Sequence, residues 1–410
     1  MMKMRLTCLI MLALLVSVSA TAQTQDELFN PEVLQRVELW LNASDWAKLK
    51  SAFQENTYYP ADVTWNGLTV RNVGIRSRGL GSRSSTKPGL RVDFDRYASG
   101  QQFLGLKSFV LDNLTQDATG VKETVTMRFY TRLGIPAPRE THTRLYVNGE
   151  YAGLYGLVES VDKTMMGRVF GSIGDNVQND GYLFEYNYVL GSPWRFTYEG
   201  PVVTPYKIRF DIKTNETHAE SAIWGPIEEL VRLTNDTSPG ALEQAISTRL
   251  DLPAFVRYIA TQNFVADFDG FNGYDGMNNF YIYRKEASAQ HVLIAWDEDN
   301  AFLQADYPIL MRIDENVLTS KLLSLSAYKT QYFNVMLEAA DSATEWLRQE
   351  MQRQLDMISE AMLADTLKPY SNSEHQGARE TLLTFPEQRI TYVRCEVAKA
   401  TGAPPPSYCR

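Results

Sequence analysis

Near residue 220 the hydrophobic pattern of this chain changes, and that change restricts the possible folds more than any single motif. Before it, apolar and polar residues alternate with the two-residue period of half-buried strands, in "VLQRVELWL" (33–41), "LRVDFD" (90–95), "SFVLDN" (108–113) and "DGYLFEY" (180–186). Two longer stretches, 61–79 and 142–160, alternate on either side of Asn66-Gly67 and Asn148-Gly149. Asn-Gly supplies the left-handed backbone that a two-residue hairpin turn needs. Helical spacing appears in this half at 44–53, where Ser44 is the expected cap, and at 121–134, closed by Gly134 with Pro136 behind it. Beyond 220 the spacing is helical, over 221–235, over 240–266 with a break or restart at Leu252-Pro253, and most clearly over 332–365. The pattern predicts an α+β chain in two lobes: a strand-rich lobe over 23–219 with one inserted helix, a helical lobe over 220–385, and a tail over 386–410.

A single strand–turn–strand, "NFYIYRKEASAQHVLIAW" (279–296), lies inside the helical lobe, and acid stands at both of its ends. "DFDGFNGYDGMN" (267–278) leads into it and "WDED" (296–299) leaves it. A hairpin returns the chain to its starting end, so Asp267, Asp269, Asn278 and Asn279 are expected to face Asp297 and Asp299. Protein-kinase-like folds place a base aspartate after a helix, a metal-binding asparagine next, then a hairpin and a second metal-binding aspartate. Mg²⁺ or Mn²⁺ takes hard oxygen ligands of this kind, completed by phosphate oxygens and water. The candidate base is therefore Asp269 or Asp267, and the candidate metal ligands are Asp297, Asn279, Asn278 and Asp299. Asp275 and Asp299 are equally at home as turn residues.

The ends and the composition restrict function further. Lys3 and Arg5 precede an apolar run from Leu9 to Val18 and a small-residue site at Ala20-Thr21-Ala22. That is the pattern of a cleaved signal peptide over 1–22, its apolar core too short for a typical spanning helix. Losing those two cations takes the formal charge from -9 to -11, and no later stretch is apolar enough to span a membrane. The expected product is exported: secreted, periplasmic or at the cell surface. Its acidity argues against nucleic acid, which needs clustered Lys and Arg. Cys395 and Cys409, the two cysteines beyond the signal, are expected to form a disulfide in an oxidising compartment.

Four segments in order resemble the CotH kinase family. They are "VGIRSRGLGSRSSTKPGLRVDFD" (73–95), "LGIPAPRETHTRLYVNGEYAGLYGLVESVD" (133–162), "MNNFYIY" (277–283) and "IAWDEDNAF" (294–302). The shared features are an R-x-R-G strand, a downstream lysine, an N-G-x-x-x-G-x-Y hairpin ending in Glu, and a W-D-x-D turn, spread over about residues 30–305. The resemblance implies a bilobal, atypical protein-kinase-like fold that binds ATP with a divalent metal and transfers phosphate to a protein. Matched residue by residue, it implies a catalytic role for Asp269, metal binding for Asp297 and for Asn279 or Asn278, and a phosphate contact for Lys87. Asp267 departs from the family, which commonly has Asn there, so Asp267 and Asp269 are interchangeable as the base on sequence grounds.

Every candidate also has a plainer explanation. Arg76 and Arg78 share one face of a strand, which a solvated face or a salt bridge explains as well as phosphate binding does. Lys87 lies in "GSRSSTKPG", a polar stretch that reads equally as a mobile loop. Glu159, the third candidate contact to a cofactor beside Lys87 and Arg78, suits a structural ion pair as well as a nucleotide pocket. "DFDGFNG" fails as an EF-hand, because its Asn-Gly arrives one residue late and Asn278 stands where Glu is required. Four scattered histidines and no G-x-S-x-G leave zinc and serine hydrolysis without support. The alternative to a kinase is a non-catalytic surface or matrix module on the same fold.

Overall fold

The computed structural model describes residues 23–409, so the signal peptide expected over 1–22 lies outside the described residues. A short helix, α1 (Gln25–Leu28), leads into seven strands: β1 (Gln35–Leu41), β2 (Tyr59–Trp65), β3 (Leu68–Arg78), β4 (Gly89–Asp93), β5 (Ser108–Asp112), β6 (Glu140–Val147) and β7 (Glu150–Glu159). They close into a barrel in the order β1-β2-β3-β4-β5-β7-β6, every pair antiparallel except β1 with β6, which is parallel. Both Asn-Gly turns are left-handed as expected, with φ of 46° and 78° at Asn66 and Gly67 and 52° and 84° at Asn148 and Gly149. Alternate residues fill the barrel, among them Val37, Leu39, Val63, Ile75, Val92, Phe109 and Leu157. Helix α2 (Ala43–Ser51) follows β1 and is capped earlier than expected: the Asn42 side chain accepts the Ser44 N–H, so Asn42 and not Ser44 is the cap.

Helix α3 (Lys122–Arg132) sits between β5 and β6, and Asp117 caps it from outside by accepting the N–H groups of Val121 and Lys122 at 2.9 Å. After β7 come α4 (Lys163–Phe170) and a two-residue hairpin of β8 (Ser172–Ile173) and β9 (Asn176–Val177). A second sheet then forms from β10 (Tyr182–Tyr186), β11 (Phe210–Ile212), β12 (Phe280–Arg284) and β13 (His291–Ala295), in the order β11-β10-β12-β13. The acid-flanked hairpin is therefore not a self-contained part of a helical lobe. Its strand β12 pairs with β10, from the other side of residue 220. Pairing between distant strands leaves no local mark on the hydrophobic pattern, which is why the sequence suggests a boundary where the sheet is continuous.

This sheet is buried on both faces. Phe184, Phe280, Ile282, Leu293 and Ala295 pack into the helical core, while Leu183, Tyr281, Tyr283, Val292 and Ile294 pack with Val110 and Val158 of the barrel wall. The helical side comprises α5 (Thr204–Arg209), α6 (Glu220–Asp236), α7 (Leu242–Ile246), α8 (Leu252–Phe264), α9 (Val317–Leu323), α10 (Ser326–Ala343), α11 (Trp346–Ala364) and α12 (Asn372–Thr401). Pro253 falls in the first turn of α8, where its missing N–H costs nothing. The helical stretch expected over 332–365 is two helices, separated at Thr344 and Glu345, where Glu345 turns left-handed at φ 63°. Helix α12 runs unbroken through residue 386, with Pro386 inside it, and the tail proper begins only after Gly402. Cys395 and Cys409 form a disulfide that ties this tail back to α12.

Candidate active site

The β12–β13 register places Phe280 opposite Ala295, so Asn279 and Trp296-Asp297 leave the hairpin at the same end. Asn279 donates from Nδ2 to Asp269 Oδ2 at 3.2 Å. Asp269 in turn donates its backbone N–H to Asp267 Oδ1 at 3.1 Å. Gln262, on the last turn of α8, links the two acidic turns: its Oε1 accepts the Phe271 N–H at 2.8 Å and its Nε2 donates to Glu298 Oε1 at 3.3 Å. Residue 270 has to be glycine for this link, since a Cβ there would lie 1.9 Å from Gln262 Nε2. Four non-glycine residues around the two turns are left-handed: Ala266 (φ 54°), Asn279 (52°), Asp297 (57°) and Phe302 (58°). Asn and Asp tolerate that conformation, but Ala and Phe do so only where the surroundings impose it, and such strain gathers at functional sites.

Burial dominates the electrostatics here. It pushes the Asp267 carboxyl up to about 7 and the Asp297 carboxyl up to about 6, the latter held back by the Arg78 guanidinium. Asp269 is raised by burial and restrained by hydrogen bonds from Asn278 and Asn279. Glu298, fully buried, is raised well above the ordinary range by its burial and by the neighbouring Asp267 carboxyl. Asp267 Oδ2 and Glu298 Oε2 are both buried without a hydrogen-bond partner, which adds to the cost of charge on either carboxyl. Carboxyls whose proton affinity is raised together in one buried place are a feature of functional sites.

The remaining candidates are less uniform. Arg78, at the end of β3, lies 3.6 Å from Asp112 and 5.3 Å from the Trp296 ring, so it is an ion-paired residue facing the acidic turns rather than part of a solvated face. Asp299 lines a cavity of about 10 Å³, roughly one water molecule in size, with Asp112, Asp117, Glu123, Thr124 and Glu140. Lys87 corrects the mobile-loop expectation: it is 1% exposed, makes a 2.7 Å ion pair with Asp365 at the end of α11, and lies over the Tyr155 ring. Glu159, also 1% exposed, is a structural ion pair, both of its oxygens being engaged by Arg139 and Arg168. Asp275 is an exposed turn residue.

Sequence reasoning missed Asp112, Glu123, Glu140, Glu298 and Arg389. Arg389, on α12 and fully buried, donates to the carbonyls of Asn263 (2.7 Å), Phe264 (2.9 Å), Ala305 (3.1 Å) and Tyr307. It thereby ties the segment just before Asp267 to the segment just after Asp299. Nothing in its helical spacing marks it, because a buried arginine on an apolar face looks like any helical arginine.

Hard oxygens from Asp269, Asn279 and Asp297 at one hairpin end form a donor set suited to Mg²⁺ or Mn²⁺ with phosphate. Among the described residues, no three His, Cys, Asp or Glu side chains close on one point by themselves. A cation there would take ligands from a nucleotide or from water. None of the described helices is long and apolar enough to cross a membrane.

The arrangement is that of a mixed α+β protein with an acidic site held between a barrel and a helical body. Residues 75–393 match the family described as CotH kinase protein, and the chain belongs to that family. The inner spore coat protein H of Bacillus subtilis (strain 168) is 20% identical over 378 residues, covering 89% of this chain and 98% of that protein. Among solved structures, the Helicobacter pylori proinflammatory kinase CtkA aligns over 76% of this chain and 95% of its own, at 10% identity and a TM-score of 0.34. The Golgi casein kinase with Mn/ADP bound aligns over 90% of this chain and 75% of its own, at 9% identity and a TM-score of 0.30. Both superpositions are loose.

Proposed function

We propose that this chain is an exported kinase that uses ATP and Mg²⁺ or Mn²⁺ to phosphorylate a protein hydroxyl. The observation that carries the reading is the Asp269–Asn279 hydrogen bond at one end of the β12–β13 hairpin, with Asp297 and Arg78 at that same end. Asp269 would orient the acceptor hydroxyl and take its proton. Asp297 and Asn279 would hold the cation, which neutralises charge on the phosphates when bound. Arg78 supplies the positive charge nearest the acids. Phosphoryl transfer asks mainly for positioning and electrostatic stabilisation, and this chain supplies both from its own rigid elements. Family membership supports the same reading. The amino-terminal signal pattern supports a secreted, periplasmic or cell-surface location.

One observation favours the second reading, a non-catalytic binding module. The Lys87 ammonium is committed to Asp365 rather than to open space before the acids. The two readings separate in a thermal-unfolding experiment on residues 23–410 with ATP and Mn²⁺. Ligand at about a hundred times its dissociation constant stabilises by about 2.7 kcal/mol, a shift of a few degrees for a chain of this size. We expect that shift in the parent and its loss in Asp297→Ala, with phosphate transfer lost in both Asp297→Ala and Asp269→Asn. A parent that melts cooperatively and responds to no nucleotide would favour the binding module.

A further inference from the structure

Five carboxyls surround the cavity of about 10 Å³ between the barrel and the second acidic turn: Asp112 at the end of β5, Asp117, Glu123 in the first turn of α3, Glu140 at the start of β6, and Asp299. Asp117 is committed to the Thr119, Val121 and Lys122 N–H groups. Asp112 accepts the Leu114 N–H at 2.8 Å and lies 3.6 Å from Arg78. Asp299 Oδ1 accepts from Asn300 Nδ2 at 2.9 Å, and Glu140 Oε1 accepts from the Thr124 hydroxyl at 2.8 Å. Glu123 is different. It is 7% exposed, lines the cavity, and makes no hydrogen bond or ion pair with any described side chain. Its strongest electrostatic neighbours are all carboxyls, those of Glu140, Asp297, Asp112 and Asp299.

Glu140 Oε2, on the same cavity, is buried and likewise without a partner. Among the described residues, the long contact between Asp112 and Arg78 is the one ion pair that any of the five makes. A buried carboxyl with neither donor nor cation is unfavourable, and either a proton or a cation relieves it. A shared proton serves one pair of oxygens and needs no space between them, whereas a cavity the size of one water has room for an ion. Oxygens with no nitrogen or sulfur among them suit Ca²⁺ or Mg²⁺. Mg²⁺ sheds its water reluctantly, which this space does not accommodate; Ca²⁺ takes roughly six to eight oxygens in flexible geometry. No three of these side chains meet at one point by themselves, but no hydrogen bond holds Glu123 or Glu140 Oε2 back from closing on an ion.

We propose that this cavity is a calcium site, with Glu123, Glu140 and Asp299 as its carboxylate ligands and Asp112 adding negative charge beside them. The ion joins α3 and β6 to the turn that carries Asp297. It is separate from the cation proposed at Asp269, Asn279 and Asp297. It needs no nucleotide, so it does not depend on the kinase reading.

The test uses residues 23–410, stripped with EDTA and dialysed, and no nucleotide. Calorimetric titration with Ca²⁺ should show a single ion bound per chain. Melting with about 5 mM Ca²⁺, above the dissociation constants of extracellular calcium modules, should raise the transition by a few degrees. Glu123→Gln keeps the shape and removes the charge, and should weaken Ca²⁺ about tenfold or more, since ligand charge sets the affinity of such sites. In EDTA the same variant should melt at or above the parent, because an uncompensated buried charge is gone; damage to the fold alone would lower it. Glu140→Gln serves if Glu123→Gln does not fold. Asn279→Ala should bind Ca²⁺ as the parent does. No Ca²⁺ bound by the parent, equal binding by parent and Glu123→Gln, a loss in Asn279→Ala as large as in Glu123→Gln, or an equal response to Mg²⁺ would each overturn the proposal. Such a result leaves the kinase reading standing, and a missing nucleotide-dependent shift leaves the calcium result standing.

Discussion

A carboxyl at position 267 is held where its charge is least welcome, 5% exposed and beside a second carboxyl on Glu298. Burial lifts it from the ordinary 3.8 to about 7, so the folded chain keeps a proton there over a pH range in which the unfolded chain has released it. Between about pH 4 and 7 the folded state binds more protons, and its stability falls as pH rises. Asparagine, the residue the family resemblance leads one to expect there, cannot ionise. Asp267→Asn should therefore match the parent's stability at pH 4 and exceed it at pH 8, by at most about 4 kcal/mol from 1.36 kcal/mol per pH unit. Urea titrations at the two pH values would measure the gap, and a gap that does not change with pH would show that the Asp267 charge is not strained. At this scale the sequence is informative where residues are neighbours along the chain: Asp267, Asp269, Asn279 and Asp297 are visible as letters around one hairpin. Glu298 is just as visible inside "WDED", but its contact with Asp267 depends on Gln262 and the packing of α8, which no local spacing reports.

Helix α12 shows how an element can serve a site without entering it. The Arg389 guanidinium satisfies carbonyls at the end of α8 and in the 305–307 segment, and so holds both acidic turns from behind. Its burial lowers its pKa to about 10, so it stays charged near neutrality. Arg389→Met would leave several buried carbonyls unpartnered, and the expected loss is about 3–5 kcal/mol of stability with a weaker nucleotide-dependent shift. Arg389→Lys should recover only part of it, because an ammonium lacks the planar fork that reaches two segments at once. A methionine variant within about 1 kcal/mol of the parent in chemical denaturation would remove Arg389 from this role. The sequence pattern ends the helical lobe at 385 and makes residues 386–410 a tail, whereas α12 crosses that point with Arg389 just beyond it. Hairpins are legible because Asn-Gly fixes a turn locally. Helix ends such as Thr344-Glu345 are not, because a break between two well-packed helices needs no special residue.

For the whole molecule, the decisive fact is that the second sheet takes two strands from each side of residue 220. A fragment of residues 23–219 would keep the barrel but present β10 without β12, with Phe184 and Tyr186 deprived of the core they pack against. We expect it to bind a hydrophobic dye and melt without a sharp transition, and a soluble 23–219 fragment with one cooperative transition would show that the barrel side folds alone. The composition of the halves is legible as a change of period, but their interdependence is not, since strand pairing over a long loop is written in neither partner. Closing such a loop costs little free energy but delays folding. A chain emerging from its amino end during synthesis would thus have its barrel complete and β10 waiting for β12 and β13. The acids at the hairpin's end take their places only when those strands arrive, so the two acidic turns stay apart until the last of the sheet is in place.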